Sequence, residues 1–276
     1  MQVWIGTSGY AYADWVGSFY PPGTSSSGMF RHYAAHFPLV ELNFTYYRQP
    51  TPLDLERIAA RAPAGFQFVV KLHQSLSHEH DLSGAAAFRE AVRGLKERGQ
   101  LLGLLCQYPQ RFHNEPGNQA RLLDLAAAFP GHELAVEFRH VSWHRPDVPD
   151  WLREHGLHLV AVDAPRIPAL YPSGLVQSSR LIYVRLHSRR AEWWYLSDKE
   201  RYDYDYSDAE LREWLEALRN ARSGADRALV LFNNCRHAQA AANAQRFAEL
   251  LRTLAPELDV VPAFAEHEPH QRALFD

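Results

Sequence analysis

Apolar residues fall in short runs along this chain. They occur at "VWIG" (3–6), "VELNF" (40–44), "FQFVVKLH" (66–73) and "LLGLLCQ" (101–107). Four more follow at "LAVEF" (134–138), "HLVAVD" (158–163), "LIYVRLH" (181–187) and "ALVLFN" (228–233). Runs of this length, rich in β-branched and aromatic residues, predict strands. Helical periodicity lies between most of them. "TPLDLERIAARAP" opens with Thr51 as a candidate N-cap and ends before Pro63, and "SGAAAFREAVRGLKERG" carries Phe88, Val92 and Leu95 on one face and stops at Gly99. "NQARLLDLAAAFPG", "VPDWLREHG", "SDAELREWLEALRNARSG" and "AQAAANAQRFAELLRTLAP" complete the series.

Eight strands alternating with helices favour a parallel sheet with crossover helices. The chain has 276 residues, close to the ~250 of a (β/α)8 barrel. The predicted fold is therefore α/β, a single TIM-type barrel over residues 1–276. The other candidate, an open doubly wound sheet, needs a glycine-rich turn after strand 1, and "GTSGY" does not match that phosphate loop. The longest break in the pattern is 188–206, "SRRAEWWYLSDKERYDYDY", an insertion after strand 7 of a length that is usually functional or mobile. Residues 256–276 read as a C-terminal packing extension.

The segment "VELNFTYYRQP" (40–50) reads as one strand, yet Glu41, Asn43, Thr45 and Tyr47 alternate with its apolar residues. A barrel strand has one face toward the helices and one toward the interior, and the interior turns polar near the C-terminal ends, where active sites are built. The same alternation recurs. Lys71 and His73 close strand 3, Gln107 closes strand 4, and Glu137 and Arg139 close strand 5. Asp163 ends strand 6, Arg185 and His187 end strand 7, and Asn233 ends strand 8. Polar groups at nearly every strand end predict a polar site at the barrel mouth.

Charge and composition narrow the classes. A formal net charge of -3 excludes a protein that holds nucleic acid through bulk charge, though a local basic patch stays open. Cys106 and Cys235 sit in separate runs without CxxC spacing, so neither a zinc cluster nor a disulfide framework is expected, and a reducing cytoplasm fits better. The N-terminus lacks a leader pattern, and no apolar run approaches the ~18 residues of a membrane span. The expectation is a cytoplasmic protein without a membrane partner; the sequence is silent on oligomeric state.

Together these motifs resemble the domain-of-unknown-function-72 family (YecE-like proteins) along essentially the whole chain. The resemblance rests on "IGTSGYAYADWVGSFYP" (5–21), "VELNFTYYRQP" (40–50), "FVVKLH" (68–73), "LLCQYPQRF" (104–112), "AVEFRHVSW" (135–143), "YVRLH" (183–187), "YDYDYSDAEL" (202–211) and "LFNN" (231–234). It implies a TIM-barrel-like fold and no established activity. Ser188 stands where the family usually has glycine, and Cys235 where an aspartate is common.

Three chemistries use these residues. The first is acid–base catalysis, as in a hydrolase or lyase, on a phosphorylated or sugar-like anionic ligand. Glu41, Glu137 and Lys71 are its catalytic candidates, and Lys71, Arg139 and Arg185 clamp the anion. Lysine is scarce here, at Lys71, Lys96 and Lys199 only, and a barrel lysine can also act as base or Schiff-base nucleophile. Asn43, His73, Gln107, Asp163, His187 and Asn233 would orient the ligand. The second is a divalent metal on Glu137, Asp163 and His187, with an endonuclease-IV-like layout by fold analogy only; nearby Arg139 and Arg185 oppose it. The third is a non-catalytic or nucleic-acid-binding module. It would use Tyr10, Trp15, Tyr46, Trp143, Tyr202 and the Trp193–Trp194–Tyr195 cluster as stacking surfaces.

Each reading has a plainer rival. The three acids and three bases could satisfy one another in a buried network, although such networks add little stability. The aromatics could simply pack loops onto the barrel. His78 and His80, His140 and His144, and His267 and His270 match no recognised ligand set, and Ser8 in "TSG" is no nucleophile elbow.

Overall fold

The computed structural model describes residues 1–192 and 197–264. The Trp193–Trp194–Tyr195 cluster and the His267–His270 pair lie outside the described residues. Eight parallel strands close into a ring: β1 (Gln2–Ser8), β2 (Leu39–Leu42), β3 (Gln67–Lys71), β4 (Leu101–Gln107), β5 (Leu134–Glu137), β6 (Leu157–Asp163), β7 (Leu181–Leu186) and β8 (Arg227–Phe232). β1 pairs with β8 along its length and with β2 near its C-terminal end, which shuts the barrel. A short β9 (Asp259–Val260) adds to the start of β1, at Gln2 and Val3, below the residues that pair with β2. This is where the chain after Pro256 packs.

The helices are α1 (Ser26–Ala34), α2 (Phe44–Tyr47), α3 (Pro52–Ala59), α4 (Ala85–Glu97), α5 (Pro116–Ala128), α6 (Val148–Glu154), α7 (Asp198–Arg201), α8 (Asp208–Ala221) and α9 (Gln239–Leu254). Their starts follow from local chemistry. Thr51 and Asp54 form a reciprocal capping box at α3, and Ser207 and Glu210 form one at α8. Phe88, Val92 and Leu95 of α4 and Leu211, Trp214, Leu215 and Leu218 of α8 are buried, so each helix lays one stripe on the sheet.

The ring needs a close approach at Gly6. A Cβ there would lie 2.1 Å from the carbonyl oxygen of Leu39, its partner on β2. The Tyr33 hydroxyl of α1 completes this seam by donating to Leu39 O and receiving the Thr7 N–H, both at 2.8 Å.

Three departures from the sequence reading matter. The strand expected through Pro50 ends at Leu42, and α2 begins at Phe44. The Thr45 hydroxyl donates to Lys71 O at 2.5 Å and stands 3.1 Å from Leu42 O, so it ties the ends of β2 and β3 together. The sequence reading leaves out α1, although its buried Met29, Phe30, Tyr33 and Ala34 recur at helical spacing. No helix joins β6 to β7; residues 164–180 cross as a loop.

Candidate functional site

Neighbouring strands in register present side chains to the same face, and successive residues alternate. Ser8 pairs with Glu41, Gln107 with Glu137, and Arg185 with Leu231. These residues fill the upper interior. Arg185 sits at the centre. Its Nη2 and Nε donate to Glu41 Oε1 (2.7 Å) and Oε2 (2.9 Å), and its Nη1 donates to Glu137 Oε2 (2.5 Å). The Tyr183 hydroxyl also donates to Glu41 Oε2. Arg139 Nε lies 2.7 Å from Glu137 Oε1, so these two charges pair as well. His187 Nε2 lies 3.5 Å from the same oxygen, and His187 Nδ1 lies 2.8 Å from the Asn233 amide nitrogen, which donates to it.

These environments set the protonation states. Burial alone would raise Glu137, but Arg139, Arg185 and His187 outweigh it and hold the carboxyl well below its usual range. Glu41 is likewise lowered, because Arg185, Tyr183 and Ser8 overcome its burial. Burial pushes His187 down to about 4, and Arg139 reinforces the shift. Both carboxylates are therefore ionised and the imidazole neutral at physiological pH. A carboxylate held this way is a poor proton carrier near neutrality.

Lys71 differs. Its Nζ donates to Gln107 Oε1 at 2.8 Å and lies 4.4 Å from the centre of the Tyr46 ring. Among the described residues no carboxylate comes within ion-pairing distance of it. Burial, then repulsion from Arg185, brings its pKa from 10.5 down to about 8, with Glu137 and Glu41 acting in the opposite sense.

Above this network lies a cavity of about 400 Å³, into which Lys71 and Arg185 project from the floor. The amides of Asn43, Gln107 and Asn233 and the phenols of Tyr12, Tyr47 and Tyr202 form its walls. Asp14, Arg236 and Cys235 complete them. Cys235 donates to Ser8 O at 3.3 Å, and burial raises its thiol to about 12, which makes it a poor nucleophile.

The structure thus brings Glu41, Asn43, Lys71, Gln107, Glu137, Arg139, Arg185, His187, Asn233 and Tyr202 to one mouth, with Tyr46 flanking Lys71. It does not bring Asp163 there. Asp163 pairs in register with Leu186, while Val162 pairs with Arg185, so Asp163 faces the helices. Its carboxylate accepts from Arg189 (2.9 Å), Trp214 Nε1 (2.6 Å) and Ser173 (3.2 Å). The trio Glu137, Asp163 and His187 is therefore split across the barrel wall. Among the described residues no group of three His, Cys, Asp or Glu side chains is placed to hold a metal ion.

His73 turns back to Ser75 (2.9 Å), and Tyr10 packs on Phe30 and Tyr33. Trp15 and Trp143 are buried with their indole N–H groups on Cys235 O and Phe112 O, so these two fix loops rather than line the cavity. Ser188 is buried, and its hydroxyl accepts the Arg190 N–H at 3.1 Å. Sequence reasoning missed Tyr183, Asp14 and Arg236. Tyr183 was within reach, since it alternates with Arg185 in "YVR"; Asp14 and Arg236 sit in short 3-10 turns whose three residues carry no periodicity.

Comparison with known proteins agrees with this architecture. The sequence profile of the family described as "Protein of unknown function DUF72" matches residues 4–268. The UPF0759 protein YunF of Bacillus subtilis (strain 168) is 28% identical over 270 residues, which span 91% of this chain and 95% of that protein. The crystal structure of a DUF72 family protein from Thermotoga maritima superposes with a TM-score of 0.85 at 35% identity, covering 91% of this chain and 100% of that one. A second, from Enterococcus faecalis V583, gives a TM-score of 0.78 at 27% identity, covering 91% and 98%. With a closed eight-stranded barrel and a profile match along nearly its whole length, the chain belongs to the DUF72 family of proteins of unknown function.

Proposed function

We propose that the barrel mouth binds a small anionic ligand, phosphorylated or sugar-like, and that Lys71 both holds the anion and handles the proton in a hydrolase or lyase reaction. The observation that carries this reading is how the charges are partnered. Arg185 and Arg139 take up Glu41 and Glu137, whereas Lys71 is satisfied by the neutral amide of Gln107 at 2.8 Å. A buried ammonium without a carboxylate partner favours an incoming anion. The proton-handling role moves from the two glutamates to Lys71, because a group titrating near 8 can both give and accept a proton close to neutral pH.

Calorimetric titration with sugar phosphates and sugar acids at pH 7 tests this. Lys71→Met should weaken anion binding by roughly tenfold to a hundredfold, the scale of one charge-assisted hydrogen bond at ~1.5–3 kcal/mol. Raising the pH past about 8 should weaken wild-type binding as Lys71 loses its charge. An anion that binds the variant as tightly as the wild type removes Lys71 from the site.

A further inference from the structure

We infer that the ligand of this mouth is a polyhydroxylated monoanion, a sugar acid such as a hexonate or hexuronate, rather than a phosphate ester. The inference rests on the anion-binding reading above and narrows it.

The first support is the charge balance. On the floor, Arg185 and Arg139 cancel against Glu41 and Glu137. At the rim, Asp14 Oδ2 accepts the His237 N–H (3.0 Å) and stands 3.8 Å from Arg236 Nη1, so those two charges also cancel. Among the described lining residues, one positive charge remains, on Lys71. A single ammonium matches a carboxylate. A phosphate monoester carries ~1.5–2 negative charges at pH 7 and is usually met by an arginine fork, several backbone N–H groups or a metal. Of the two guanidiniums on the cavity, Arg185 has all three of its nitrogens turned to Glu41 and Glu137, and Arg236 at the rim stands against Asp14.

The second support is the wall chemistry. Among the described residues, no aliphatic side chain lines this cavity; every lining side chain carries a polar atom. The tyrosine rings and the stems of Lys71, Arg185 and Arg236 still make most of the lining surface apolar, so the cavity pairs flat apolar faces with placed polar groups, as ligand pockets ordinarily do. Lys71, His187 and Ser8 O already hold Gln107 Oε1, Asn233 Nδ2 and the Tyr12 hydroxyl, but Asn43 Oδ1 is buried without a hydrogen-bond partner, and an aliphatic or aromatic acid would leave it unmatched at a cost. A chain of hydroxyls matches it, and the tyrosine rings offer flat faces to the C–H side of a sugar. At about 400 Å³ the cavity lies toward the small end of the ~300–1,000 Å³ range of ligand sites, which fits one monosaccharide.

The test is calorimetry on the full chain at pH 7. Its probes are a panel of hexonates and hexuronates, the matching hexose phosphates, the neutral hexoses and hexanoate, each titrated into wild type and Lys71→Met. The expected result is at least one sugar acid binding more than tenfold tighter than its hexose, its hexose phosphate and hexanoate, with its advantage over the neutral hexose lost in Lys71→Met. Tighter binding of a hexose phosphate would overturn the monoanion assignment while leaving the anion-binding reading intact. Hexanoate binding equal to the best sugar acid would overturn the polyhydroxylated part. If none of the anions binds in a Lys71-dependent way, both this inference and the reading beneath it fall.

Discussion

Arg185 and Glu41, 144 positions apart in sequence, meet at the barrel axis through two parallel hydrogen bonds, Nη2–Oε1 at 2.7 Å and Nε–Oε2 at 2.9 Å. Both side chains are buried. The same guanidinium reaches Glu137, so one cation organises two carboxylates from opposite parts of the ring. Such a group holds strands 2, 5 and 7 in mutual position, and it leaves Lys71 as the floor group open to a ligand.

Arg185→Met should therefore cost far more than a surface pair would. Stranding a buried carboxylate typically costs ~3–5 kcal/mol, against ~0–1 kcal/mol for an exposed ion pair. Adding Glu41→Gln to that variant should recover part of the loss, because the uncompensated charge goes with it. Urea denaturation of the single and double variants measures both. A single-variant loss below about 1 kcal/mol would mean that the network is solvated like a surface pair.

Lys71 gives a pH signature of the opposite kind. Its folded pKa of about 8 lies below the ordinary 10.5, so between those values the unfolded chain binds more protons than the folded one. Its charged form opposes folding below about pH 8, and that cost fades as the pH climbs toward 10.5. Lys71→Met should accordingly be more stable than wild type at pH 7, with the gap narrowing by pH 10. Denaturation midpoints at the two pH values decide it, and a gap that does not change with pH would show Lys71 titrating as an exposed lysine.

His187 acts in the acidic range. Burial and Arg139 depress it from 6.5 to about 4, so the unfolded chain again binds more protons in that window, and stability falls as the solution is acidified from 6.5 toward 4. Glu41 and Glu137 contribute only lower down: their folded values lie below 4.5, and the stability they supply above 4.5 is lost as the pH drops through those values. His78, also depressed to about 4, shares the upper part of the window. His187→Gln should thus flatten, without abolishing, the fall in stability between pH 6.5 and 4.5. An NMR titration in which the His187 ring shifts near pH 6.5 would contradict the assignment of a neutral, buried imidazole.

The eight strands and most helices were legible because burial on both faces of a barrel strand writes apolar runs, and amphipathic helices write a 3.6 period. The mouth was legible wherever alternation persisted to the strand end, as with Glu137 and Arg139 or Arg185 and His187. Asp163 was misplaced for a physical reason. Which face a strand's last residue takes depends on its register with the neighbouring strand, and that register is set by packing between distant segments. "HLVAVD" has no internal polar alternation to fix the parity, whereas "YVRLH" does. Asp14 and Arg236 were unreadable because single 3-10 turns, too short to write a period, carry them to the rim.

The position of Asp163 separates two kinds of polar strand end. Its carboxylate ties Arg189, after β7, to the Trp214 indole of α8, and Arg189 continues to Glu213 at 2.9 Å. Burial raises the pKa of Asp163 even against these partners, so its charge is maintained by Arg189 rather than by solvent. Asp163→Asn keeps an acceptor for Trp214 but removes the ion pair, and should cost ~1–3 kcal/mol, the scale of a buried charged hydrogen bond. Anion affinity at the mouth should stay within about twofold of wild type, because the side chain lies on the helix side of the wall. Urea denaturation together with ligand titration reads both quantities on one preparation. Binding lost while stability is kept would place Asp163 in the cavity after all and overturn the register argument.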